Sequence, residues 1–190
     1  MIINPVSRHL SAFYAVTDWS AEAANYVTIN DLDIDAIIAQ VGPIAIVGCR
    51  FDGCGYFKIG GDILSVVIEV RGDDGETVVD LLAWRVEDPL IFATAMGAAA
   101  LLGHNLLNPA TWAFGSALAV HRRPLDWVKA GARGVVILDH RLAPFALGQA
   151  LGHLEAEDPD HLKLLRQMLC RPPVDPKNVR CPPAGKKVPA

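Results

Sequence analysis

Apolar positions recur with two different periods along this chain, and the change of period divides it. Ile34, Ile37, Ile38 and Val41 lie at helical spacing, which predicts a helix over about 31–41. Asn30 is placed to cap it, Asp31 and Asp33 suit the positive end of its dipole, and Gly42-Pro43 ends it. Strand patterns follow. Ile44–Phe51 is an apolar run that stops at Asp52-Gly53-Cys54-Gly55, and Tyr56–Ile59 stops at Gly60-Gly61-Asp62. Leu64, Val66, Ile68 and Val70 then alternate with Ser65, Glu69 and Arg71, the period of a half-buried strand. After Gly72-Asp73-Asp74-Gly75 a further strand covers 77–86. Turns this short join antiparallel neighbours, so 43–86 is expected to form a four-stranded antiparallel β-meander.

Beyond residue 88 the pattern becomes continuously apolar. No charged residue occurs from Pro89 to Val120, and 89–103 and 109–119 are expected to be two buried helices. The best stretch, Leu90–Gly103, is too short for a helix to cross a hydrocarbon core about 30 Å thick, so no membrane location is expected. A short helix at Leu125–Ala130 and a buried strand at 134–139 follow. Two helices should close the fold. One has Pro144 near its start and Leu147, Leu151 and Leu154 on one face; the other has Asp158 as cap, Pro159 in its first turn and Leu162, Leu165 and Leu169 inward. The first 28 residues show no sustained period, and their four aromatics suit a subunit contact, so an oligomer is open.

The expected class is therefore α+β: an antiparallel β-meander packed against helices, with one further buried strand at 134–139. The domain should span 1–170. Residues 171–190 hold six prolines and little to bury, a Pro-rich C-terminal tail that is flexible or strapped to the surface.

Composition adds three constraints. The chain has 190 residues, 52% of them hydrophobic, and a mean hydropathy of +0.28, enough to fill one core. Met1-Ile2-Ile3 is followed by Asn4-Pro5 rather than by a secretory signal, which points to a cytoplasmic protein with reduced thiols. Cys49, Cys54, Cys170 and Cys181 lack the spacing of a zinc knuckle, so no metal site is expected. The net charge of −4 is unevenly spread: residues 1–120 hold 14 acidic and 5 basic side chains, residues 121–190 hold 7 and 12.

Two functional readings result. The first is a non-enzymatic interaction module whose basic C-terminal third contacts a protein or nucleic-acid partner. Arg122, Arg123, Lys129, Arg133 and Arg141 would meet phosphates, and Trp127 would stack. The second is a metal-assisted hydrolase or phosphoryl-transfer enzyme. Asp139 ends a buried strand, a position that suits a Mg²⁺ ligand; His140 or His104 would be the base, and Asp80 or Glu69 a second carboxylate. A P-loop partner, G-x-x-x-x-G-K-[ST], is absent, which excludes that type of nucleotide hydrolysis. No cofactor is required by the first reading.

Other patterns fail on inspection. Gly60-Gly61-Asp62 resembles the hairpin of diguanylate cyclases over three residues, but Ile63-Leu64 replaces the acidic residue and Phe that follow there, so the segment reads as a tight two-residue turn. Asp31-x-Asp33-x-Asp35 lacks the Gly and Glu of a calcium loop. Ser116 lacks the second Gly of a nucleophile elbow. His153 and His161 read as solvated helix positions.

Overall fold

A computed structural model describes residues 5–16, 21–32, 34–107, 117–150 and 152–170. Helices α1 (Pro5–Tyr14), α2 (Ala21–Asn30) and α3 (Ile34–Val41) come first. The first two lie in the stretch where no period could be read. Asn30 ends α2, donating its side-chain amide to the Tyr26 carbonyl at 3.0 Å, and so does not cap α3.

The five-stranded sheet that follows is antiparallel throughout, in the order β2-β1-β3-β4-β5. Its strands are β1 (Ile44–Phe51), β2 (Phe57–Ile59), β3 (Ile63–Arg71), β4 (Val78–Arg85) and β5 (Phe92–Thr94). All four expected strands are present, but their order is not that of a simple meander. Cys49 pairs with Ile59 on one edge of β1 and with Ile63 on the other, so the chain crosses over β1 between β2 and β3. At the crossing the amides of Gly60 and Gly61 both donate to the Gly48 carbonyl, at 2.8 and 3.1 Å. A Cβ on Gly61 would lie 2.4 Å from the Cys49 carbonyl, and one on Gly48 2.0 Å from the Gly61 oxygen. The glycines thus serve close backbone approach rather than a two-residue hairpin.

A second sheet has the order β6-β8-β7-β9. It comprises β6 (Leu101–Leu102), β7 (Leu118–His121), β8 (Val135–Ile137) and β9 (Leu154–Ala156). β8 and β9 both run parallel to β7, on its two sides, and β6 is antiparallel to β8. Helix α4 (Pro124–Lys129) connects β7 to β8, and α5 (Ala143–Leu147) lies between β8 and β9. Helix α6 (Pro159–Leu169) follows, capped by the Asp158 carboxylate accepting from the His161 amide at 2.8 Å.

The α+β class stands, and the strand expected at 134–139 is β8. The apolar helix expected over 89–103 is corrected: residues 92–94 and 101–102 are strands, and Gly97 and Gly103 hold positive φ of 68° and 74°, which breaks a helix there. Of the helix expected over 109–119 only 117–119 are described, and there the chain enters the strand 118–121. Residues 108–116 and 171–190, and with them Ser116, Cys181 and the Pro-rich tail, lie outside the described residues. The helix expected from Pro144 ends at Leu147, and Leu154 sits in β9. On α6 the inward positions are His161 and Leu165, while Leu162 and Leu169 are exposed.

Strand alternation sorts the core. Val66, Ile68, Leu82 and Trp84 from the first sheet meet Leu102 and Val136 from the second, with α4 (Leu125, Trp127, Val128) and Tyr26, Ile37 and Val41 filling the same cluster. Phe13 of α1 covers the other face of the first sheet, over Val67, Leu81 and Ala83. Leu101, Val120, Val135 and Ile137 turn to the outer face of the second sheet, against α5 and Leu165 of α6. Cys49, Cys54 and Cys170 are free thiols. Among the described residues no helix is long and apolar enough to cross a membrane.

Candidate functional site

The three parallel strands of the second sheet end together, β7 at His121, β8 at Ile137 and β9 at Ala156. From β7 the chain moves to one neighbour, and from β8 it returns past β7 to the other. The connecting helices lie on opposite faces, α4 toward the inner core and α5 on the outer one. Where successive connections part in this way, the carboxyl ends of the strands frame a crevice, and ligands of open α/β sheets bind there. The crevice here has a volume of about 630 Å³, within the range of ligand sites. His121 and Arg122 border it from the end of β7, His140 and Arg141 from the loop after β8, and His161 from α6. Its floor is apolar: Phe92, Ile137, Pro144, Leu164, Leu165 and Met168. Gln167 completes the lining, and among the described residues no carboxylate belongs to it.

Carboxylates stand just behind the arginines. Arg122 Nη2 donates to Asp158 Oδ1 at 2.8 Å, and its backbone amide to Glu157 Oε1 at 3.2 Å. Arg141 Nε and Nη2 donate to the two oxygens of Asp139 at 3.1 and 2.8 Å, and its amide adds a bond of 2.7 Å. The Arg141 guanidinium therefore holds the Asp139 carboxyl below the usual carboxylate range, and the His161 amide does the same for Asp158. The Arg141 side chain is 84% exposed, and ion pairs this wet contribute little to stability. An incoming anion can take such arginines from their partners at little cost.

The histidines are held more firmly. His161 is 5% exposed, and burial pushes its pKa down. Its Nδ1 accepts from the Glu157 amide at 3.3 Å, which fixes the neutral ring with its proton on Nε2. His121 Nε2 lies 3.0 Å from the Arg133 carbonyl, and its Nδ1 3.5 Å from Glu157 Oε1.

One solved structure shares the fold. A crystal structure of the Aquifex aeolicus primase, covering its zinc-binding and RNA polymerase domains, superimposes with a TM-score of 0.57 at 12% identity. The match covers 86% of this chain and 50% of that one, so the chain spans about half the length of the primase structure. No family model matches the chain, and no curated protein matches it in sequence.

Of the residues singled out from sequence, the fold brings Arg122, His140 and Arg141 together in the crevice. Asp139 stands beside them, with both oxygens engaged by Arg141. Arg123 is tied to Asp126 of α4 through two guanidinium bonds. Lys129 and Arg133 are exposed but do not line the crevice. Trp127 corrects the stacking assignment. It is 3% exposed and donates its indole N–H to the Gly134 carbonyl at 2.8 Å, so its ring faces are core surface. His104 lies in a 3-10 turn (His104–Leu107) after β6. Because β6 is antiparallel to β8, that turn sits at the amino end of β8, opposite Asp139. Asp80 is wholly buried in the first sheet, where its oxygens accept from four backbone amides. Glu69 is bound there by Arg71 and by the Tyr14 hydroxyl. Among the described residues no group of three or more His, Cys, Asp or Glu is placed to hold a metal ion.

The sequence reading missed His121 and His161 as a pair. The first escaped because 109–119 read as a helix, which hid the strand that His121 ends. The second reads as solvated from sequence because Leu162 and Leu169 suggest an inward face for α6 that the fold leaves exposed. Its i+4 spacing to Leu165, on the face that also carries Met168, was the available signal.

Proposed function

We propose that this chain is a non-enzymatic module that contacts nucleic acid through the crevice at the carboxyl edge of its second sheet. One observation carries the reading: two arginines and three histidines converge there over an apolar lining that holds no carboxylate among the described residues. Phosphodiesters are acceptor-only anions, and arginine matches their geometry with two parallel N–H donors. The fold likeness to a primase structure that includes an RNA polymerase domain supports the same class of partner. The module would use Arg122 and Arg141 as phosphate contacts, with His121, His140 and His161 beside them.

A mobility-shift titration at low and high salt tests this. Two phosphate contacts should give a log–log salt slope of about −2. Absence of any complex at low salt would rule the reading out. The metal-assisted reading draws no support from this geometry, since Asp139 is spent on Arg141 and Asp80 on backbone amides.

A further inference from the structure

Asp158 and Glu157 tie the mouth of the crevice to the start of α6, and His161 sits where those ties meet. Asp158 does two things at once: it caps α6 by accepting from the His161 amide, and it holds Arg122. Glu157 also does two things. Its carboxylate faces the Arg122 amide and the His121 ring, and its backbone amide donates to His161 Nδ1. The imidazole of His161 is thus locked as an acceptor on one nitrogen, buried, and part of the crevice wall.

We propose that the crevice takes up a phosphate-bearing strand and a proton together, the proton going to His161. This rests on the functional reading above and adds a regulation of the same site. The charges around His161 set the sign. Arg122 and His121 from β7 oppose a positive ring, and burial opposes it most. Glu157 and Asp158 favour it, and His140 and Arg141 stand across the crevice on the loop after β8. An empty crevice therefore disfavours the imidazolium form of His161. A phosphate bound by Arg122 and Arg141 adds negative charge at the wall and withdraws Arg122 from Asp158. The freed carboxylate then faces His161 without its cation. Both changes favour the imidazolium, whose Nδ1 proton releases the Glu157 amide and finds a carboxylate instead. By linkage, a group that gains a proton on binding makes binding tighter as pH falls, by up to about tenfold per pH unit for one proton.

The test uses an internally phosphodiester-linked oligonucleotide with no terminal phosphate, since a phosphate monoester itself titrates near pH 6. Fluorescence anisotropy at constant ionic strength, at pH 8 and pH 6, should show the full chain binding at least about threefold more tightly at pH 6. His161→Gln keeps an acceptor and a donor but no titration in this range, and should lose most of that difference. Should that variant fold poorly, calorimetry of the unaltered chain near pH 6.5 in two buffers of different ionisation enthalpy gives the proton count, expected to be a net uptake on binding. Equal affinity at the two pH values, or no proton uptake, would overturn the coupling while leaving nucleic-acid contact intact. A pH dependence that persists undiminished in His161→Gln would also overturn it, because the proton would then go elsewhere. No binding at either pH would sink the functional reading itself.

Discussion

Replacing Asp80 by Asn removes one oxygen from a site built around two. The Asp80 carboxylate is wholly buried on β4. Oδ1 accepts from the amides of Leu81, Ala95 and Met96 at 2.8, 3.1 and 3.0 Å, and Oδ2 from that of Ala98 at 2.8 Å. Burial raises its pKa, and the four N–H groups pull against that rise. These bonds hold residues 95–98, which carry the chain from β5 toward the second sheet. An Asn carbonyl in the Oδ1 position keeps three bonds, but its NH₂ then meets the Ala98 amide donor to donor. The loss is one charge-assisted bond, about 1.5–3 kcal/mol, and the part-buried Ala98 amide is left unpaired; the two overlap, and about 3 kcal/mol is the expected cost. Asp80→Ala strands four amides and should cost more. Urea denaturation reads this directly. At a slope of about 2 kcal/mol/M, the Asn variant should unfold roughly 1.5 M earlier with the slope unchanged. A midpoint within about 0.25 M of the unaltered chain would refute the claim that this carboxylate organises the 95–98 loop.

Two further outcomes follow from the same geometry. Trp127→Phe removes the indole donor and leaves the Gly134 carbonyl unpaired, so stability should fall by about 1–2 kcal/mol while oligonucleotide affinity stays the same; a selective loss of affinity would restore Trp127 as a stacking residue. His161 is depressed in the fold, so its contribution to stability is complete above its unfolded pKa of about 6.5 and is lost as pH falls below that. Urea midpoints at pH 7.5 and 5.5 should therefore differ more for the unaltered chain than for His161→Gln. The lowered pKa values of Asp139 and Asp158 act only as pH falls below about 4, outside that window.

The strands of the first sheet were readable because alternation and Gly-rich turns are local signals: Leu64 to Val70 announces β3, and Asp52 to Gly55 announces the turn after β1. Their order was not readable. The crossing over β1 depends on Gly48 and Gly61 approaching each other, and residues so far apart in sequence carry no periodic trace of that contact. The second sheet was half visible. β8 is an apolar run of recognisable length, but β6 has two residues and β9 three, too few to show a period. Missing them hid the β-α-β connections, and with them the reason that Arg122, His140 and Arg141 share one edge. The basic excess of residues 121–190, 12 Lys and Arg against 7 Asp and Glu, takes in the two crevice arginines. Burial then divided it, placing Trp127 in the core and leaving Lys129 and Arg133 exposed away from the crevice.

The central claim is that contact runs through the carboxyl edge of the second sheet and not through basic residues at large. The decisive measurement compares the salt dependence of oligonucleotide binding for Arg122→Ala/Arg141→Ala and for Lys129→Ala/Arg133→Ala, two changes of equal charge. The crevice pair should weaken binding and flatten the log–log salt slope by about 1 per arginine removed, while the other pair leaves the slope in place. Equal losses from both pairs, or a loss from the second alone, would contradict the account.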